Sequence, residues 1–121
     1  MHKRRLSSTT TTLLACICLA SPALALECPT PQPLAKPGVF KETPSQIAEA
    51  GKMLSSGDVM SEAQTIIVDL RRRYPQVENA ELANYLITAY CPVIAGMAAL
   101  SESDKKARMD DFVSRLMKVI Y

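Results

Sequence analysis

From residue 44 to the end of this 121-residue chain, apolar side chains recur at steps of three and four, and no stretch sustains period-two alternation. That spacing lays one apolar stripe along each of several helices and gives a sheet no face to bury, so it confines the chain to an all-α fold. Prolines, glycines and cap residues cut the stripe into segments. Thr43-Pro44-Ser45-Gln46 has the order of an N-cap, a proline at the first helical position and a glutamine that closes a capping box. Ile47, Ala50, Gly51 and Leu54 then share one face, and Gly57 is placed to make a left-handed closing turn, so the first helix is expected over 44–56. Asp58 caps a second helix over 59–73, whose stripe runs Val59, Ala63, Ile66, Ile67, Leu70 and Tyr74 until Pro75 disfavours helix at Tyr74.

A third helix is expected over 78–90, with Leu82, Tyr85, Leu86, Ala89 and Tyr90 on one side. Pro92 has no N–H for the carbonyl of Thr88, yet the stripe continues through Val93, Ile94 and Met97. The expectation is a kink near Cys91, or a break followed by a short helix to about 99. Ser101 and Asp104 are spaced as a cap pair, and Met109, Phe112, Val113, Leu116, Met117 and Ile120 stripe a last helix over 103–120. The fold class expected is a small bundle of four to five helices over 44–121.

What precedes the bundle is of two kinds. Residues 1–25 have the three parts of an export signal: basic His2-Lys3-Arg4-Arg5, the apolar run Leu13 to Ala20, and the small residues of Ala23-Leu24-Ala25 that suit a signal peptidase. The apolar run is too short to span a hydrocarbon layer of about 30 Å. Leu13-Leu14-Ala15-Cys16 also resembles a lipoprotein box, but the hydroxyl-rich stretch before it is a poor apolar segment. Cleavage after Ala25 and a periplasmic or secreted location are therefore expected, with no stable membrane insertion afterwards. Residues 26–43 form a proline-rich arm carrying Pro29, Pro31, Pro33 and Pro37, which suits an extended strap and offers no PxxP ligand.

Cleavage changes the chemistry that remains. Three of the 14 basic residues and the only histidine leave, so eleven Lys and Arg face twelve Asp and Glu. A near-neutral chain of this kind gives no support to nucleic-acid binding. Of the four cysteines, Cys16 and Cys18 leave as well, and Cys28 and Cys91 form the one possible pair in an oxidising compartment. A bridge between them closes a long loop, worth roughly 4 kcal/mol in the chain-entropy treatment. Both cysteines precede proline, which leaves open a thiol-redox or haem- and metal-binding use of the pair. However, there is no CxxC, no CxxCH and no remaining histidine to supply a second ligand.

Catalytic chemistry is thin. Without histidine the processed chain lacks the commonest general base and metal ligand, and GxSxG, P-loop and GxGxxG motifs are absent. Asp110-Asp111 point about 100° apart on a helix, and Lys106 is spaced to pair with Asp110 on its surface. Arg71-Arg72-Arg73 is the one candidate patch for an anion or a partner. The competing account is that these cations close the second helix, where they complement the helix dipole. Met53, Met60, Met97, Met109 and Met117 lack the clustering of a thioether copper site and suit core filling. No catalytic residue, metal site or cofactor is assigned.

The segment Ala83-Asn84-Tyr85-Leu86-Ile87-Thr88-Ala89-Tyr90-Cys91-Pro92-Val93, followed by an amphipathic last helix, resembles small exported two-cysteine helical proteins of proteobacteria, of the rhizobial type. The resemblance covers residues 80–121 and implies export and a helical fold, with no catalytic residues. The size and the two distant cysteines are similar in architecture to acid-activated periplasmic chaperones. The function expected is a non-enzymatic periplasmic module that binds a protein or a small ligand. An acid- or stress-responsive chaperone is the alternative, and a thiol-redox or haem carrier built on Cys28 and Cys91 is the other.

Overall fold

The computed structural model of the chain describes residues 25–29 and 40–121. All of the export signal but Ala25, and most of the proline-rich arm, lie outside the described residues. Four helices and no strand occur among those described: α1 (Pro44–Ser55), α2 (Val59–Arg73), α3 (Asn79–Ala95) and α4 (Glu102–Ile120). Helix α3 is the hub. It packs on α1 along one side and α4 along the other, while α2 touches all three and α1 and α4 do not meet. Leu54, Leu70, Leu82, Leu86, Ile94 and Leu116 are sealed at the centre. Tyr90 and Phe112 join α3 to α4 with their rings tilted at 4.6 Å between centroids.

Local chemistry accounts for each boundary. Thr43 accepts from the Gln46 backbone at 3.2 Å and the Gln46 side chain accepts from the Thr43 backbone at 2.8 Å, which satisfies two N–H groups that the helix leaves unpaired. Asp58 accepts from the Ser61 N–H at 2.8 Å, and Ser101 from the Asp104 N–H at 3.1 Å. Before α3 the Glu78 N–H donates to the Glu81 carboxylate at 3.1 Å. Helix α2 spans 59–73 as its stripe and Pro75 require.

Two helices end elsewhere than expected at their C-termini. Gly57 makes no left-handed turn, since no residue among those described has positive φ. Helix α1 ends at Ser55 because Ser56 closes it, its N–H and its hydroxyl both donating to the Met53 carbonyl. Helix α3 neither breaks at Pro92 nor is followed by a short helix to 99: it runs through the proline to Ala95, and residues 96–100 form turns. Proline costs the helix one hydrogen bond, and the packing of both neighbouring helices and the bridge at Cys91 hold the last turn in register.

Glycine is required at one place. A Cβ on Gly51 would overlap the Ala89 carbonyl oxygen and stand 3.2 Å from Cγ2 of Val93. Its absence lets the α1 backbone rest directly on α3.

The start of the arm is tied down at two points. Cys28 is bonded to Cys91, with Cα atoms 5.5 Å apart, and the Cys91 end is buried in α3. Two residues earlier, the Leu26 N–H donates to Oε2 of Glu102 at 3.0 Å, and the Leu26 side chain packs against the core. The other Glu102 oxygen accepts from Lys105 Nζ at 3.0 Å, and that ammonium also donates to the Ala95 carbonyl at 2.9 Å. Lys105 is thereby buried with its charge partnered. No helix among the described residues is long and apolar enough to cross a membrane.

Candidate functional site

Chain entry into α1 brings an acid inside. Glu42 lies one residue before the Thr43 cap, and only 4% of its side chain is exposed. Oε1 accepts from Arg73 Nη1 at 2.6 Å and from the Tyr74 hydroxyl at 3.0 Å, while Oε2 accepts from the Tyr85 hydroxyl at 3.4 Å. Those donors come from the end of α2 and the middle of α3, so one carboxylate pins three helices together. Phe40 closes the apolar side, edge-on to Tyr74 at 5.2 Å and tilted on Tyr85 at 5.3 Å. The Arg73 guanidinium in turn lies 5.3 Å from the centre of the Tyr74 ring.

Beyond Glu42 the array continues into solvent. Arg73 Nε donates to Asp69 at 2.8 Å, and Arg72 donates to the other Asp69 oxygen at 3.0 Å. Both guanidinium groups hold the Asp69 carboxyl below its ordinary range. Hydrogen bonds to Glu42 and Asp69 raise Arg73. Burial, with the Glu42 charge adding to it, pushes the Tyr85 hydroxyl up to about 12. Tyr85 and Arg73 therefore keep their protons at neutral pH and donate to the carboxylates.

Beside this clamp, an open groove of about 660 Å³ is lined by residues of α1 and α2. Ala50 and Ile66 form its apolar floor; Met53 and Val68, 42% and 68% exposed, stand on its walls. On the rim, Glu49 is paired with Lys52 at 2.8 Å, and Asp69 is paired with Arg72 and Arg73. The rim is thus hydrogen-bonding but balanced in charge. A smaller cleft of about 300 Å³ lies between α1, α3 and Pro29.

The residues singled out by sequence are distributed as follows. Arg71, Arg72 and Arg73 form the last turn of α2, and their guanidinium groups engage different partners. Arg71 donates to the Asn79 side chain at 3.0 Å, away from the groove, whereas Arg72 and Arg73 line it with their charge engaged by acids. Cys28 and Cys91 are joined, so both sulfurs are occupied. Asp111 pairs with Arg115 at 3.7 Å, where Lys106–Asp110 had been the expected pair. Met60 and Met109 fill the core, but Met53 and Met117 are exposed, which corrects the core assignment for those two.

Glu42 and the groove have no mark in the sequence, whereas Asp69 is marked by its spacing of three and four residues from Arg72 and Arg73. An isolated acid before a helix cap carries no local signal, because all three of its donors are more than thirty residues away. Comparison with family models, with curated proteins and with solved structures finds no match to this chain.

Proposed function

We propose that the protein is exported, is cleaved after Ala25, and acts outside the cytoplasm as a non-enzymatic binding module. Its groove between α1 and α2 takes an apolar peptide segment of a partner protein. The observation that carries this reading is the pair of exposed apolar side chains, Met53 and Val68, on the walls of a groove with an apolar floor. Charge decides the kind of occupant. Glu42, Glu49 and Asp69 are matched by Arg73, Lys52 and Arg72 within the chain itself, so the rim favours an uncharged segment over an anion or a cation.

The test is selection of short peptides from a random display library on the immobilised processed protein, followed by binding measurements on the enriched peptides. Uncharged peptides with an apolar anchor are expected. Val68→Asp and Met53→Asp should each weaken their binding about tenfold or more while leaving the helical circular dichroism unchanged. A selection without enrichment, or enriched peptides indifferent to both substitutions, contradicts the reading.

An acid-responsive chaperone is a second reading, favoured by the burial of the Glu42 carboxylate at a junction of three helices. Binding of an apolar dye that stays flat from about pH 7 to about pH 2, across the carboxylate range, eliminates it.

A further inference from the structure

The backbone nitrogen of Leu26 is held by an acid. In the uncleaved chain it is an amide, and it donates to Glu102 Oε2 at 3.0 Å. Ala25, on the other side of the same peptide bond, is exposed, while the Leu26 side chain is packed against the core. We infer that Glu102 is the seat of a new α-ammonium group: hydrolysis of the Ala25–Leu26 bond leaves the Leu26 nitrogen charged and paired with the Glu102 carboxylate. The inference rests on the proposed export and cleavage, and it adds the site that receives the product.

The reaction is an ordinary endopeptidase hydrolysis. Water adds to the Ala25 carbonyl carbon, the bond from that carbon to the Leu26 nitrogen breaks, Ala25 leaves as a carboxylate, and the nitrogen takes up protons to become an ammonium. What had been a neutral donor becomes a charged one at the same position, and charge-assisted hydrogen bonds are shorter and stronger.

The seat is built to accept it. Lys105 holds the other carboxylate oxygen at 3.0 Å and is itself fixed by the Ala95 carbonyl at 2.9 Å, so Glu102 cannot swing away without stranding a buried ammonium. The Cys28–Cys91 bridge fixes the chain two residues downstream, which limits where the Leu26 nitrogen can go. Register follows from this geometry. A chain starting one residue earlier carries its ammonium about 3.8 Å further along the backbone, and one starting at Glu27 lacks both the nitrogen and the apolar anchor. The site therefore reads the cleavage position.

Three charged groups act on the new ammonium: Glu102 raises its affinity for a proton, Lys105 opposes this from the same helix, and exposed Glu27 adds to the first. The closest of them is Glu102, in direct hydrogen-bond contact, so the ammonium is held above the ordinary α-amino range.

The test uses the full-length gene expressed in an exporting bacterium and the protein recovered after processing. Its N-terminus is read first by intact mass. The rate at which an amine-acylating reagent labels the α-amino group is then followed by peptide mass spectrometry, with exposed Lys41 as the internal reference. Labelling is expected to be severalfold slower in the wild type than in Glu102→Gln, and the wild-type rate should rise with a midpoint above the ordinary range of about 7.7–8.0. Equal rates in the two proteins, or a wild-type midpoint inside or below that range, overturns the seat while leaving the cleavage reading intact. A chain recovered uncleaved, or starting at a residue other than Leu26, overturns the cleavage reading and the seat with it. If Glu102→Gln does not accumulate, the wild-type midpoint alone decides.

Discussion

Three donors from two helices converge on the Glu42 carboxylate, and only 4% of that side chain reaches water. Removing the acid takes the acceptor from the buried Tyr85 and half-buried Tyr74 hydroxyls and the ion pair from Arg73, so Glu42→Ala should lower stability by about 2–3 kcal/mol in urea denaturation, with an unchanged m-value. Glu42→Gln keeps an acceptor and should cost less than the alanine variant. This residue also marks how far the sequence could be read. The Thr43 box next to it is legible because its partner lies three positions away, whereas Glu42 depends on Arg73, Tyr74 and Tyr85, which only tertiary packing brings near. Asp58 and Asp69 stand with Thr43 rather than with Glu42: the partners of both lie three or four residues along the same helix, so the spacing alone marks them.

Among the elements, α2 was legible at both ends because a cap residue and a proline bracket an unbroken stripe. Helix α3 was less so. Local rules register the missing N–H at Pro92 but not the support that α1 and α4 give to the turn around it. The contact between α1 and α3 has its own signature at Gly51. Alanine there has the higher helix propensity, worth up to about 1 kcal/mol, but its methyl group would overlap the Ala89 carbonyl. Overpacking outweighs propensity at such a contact, so Gly51→Ala should destabilise the protein by about 1–3 kcal/mol in thermal or urea unfolding. The groove between α1 and α2 was not legible, since Met53 and Val68 lie off the apolar stripes of their helices and a single exposed apolar residue carries no signal until both are seen to line one groove.

For the whole molecule, the bridge and the carboxylates set the conditions under which the bundle stands. Replacing Cys28 and Cys91 together by serine should cost up to about 4 kcal/mol in the chain-entropy treatment, measured by denaturation under non-reducing conditions. Asp58, Asp69 and Glu102 titrate below their ordinary values: Asp58 through the Ser61 backbone N–H, Asp69 through Arg73 and Arg72, and Glu102 through the Leu26 N–H and Lys105. Groups depressed in the folded chain add stability above their unfolded values near pH ~4, and that stability is lost as pH falls through the folded ones. Tyr85 acts at the other end, raised from 10.0 to about 12, so its contribution is lost as pH climbs through that interval. Unfolding free energy should therefore form a plateau between these limits, falling on the acid side below about pH 4 and on the alkaline side above about pH 10.

Export, processing and the bridge are joined in a single quantity, the intact mass of the protein recovered from the cell that makes it, before and after reduction and alkylation. The account predicts the mass of residues 26–121 less two hydrogens, with two alkyl groups gained only after reduction. A full-length chain, a lipid adduct on Cys16, or a Cys28 and Cys91 that alkylate without reduction would contradict it.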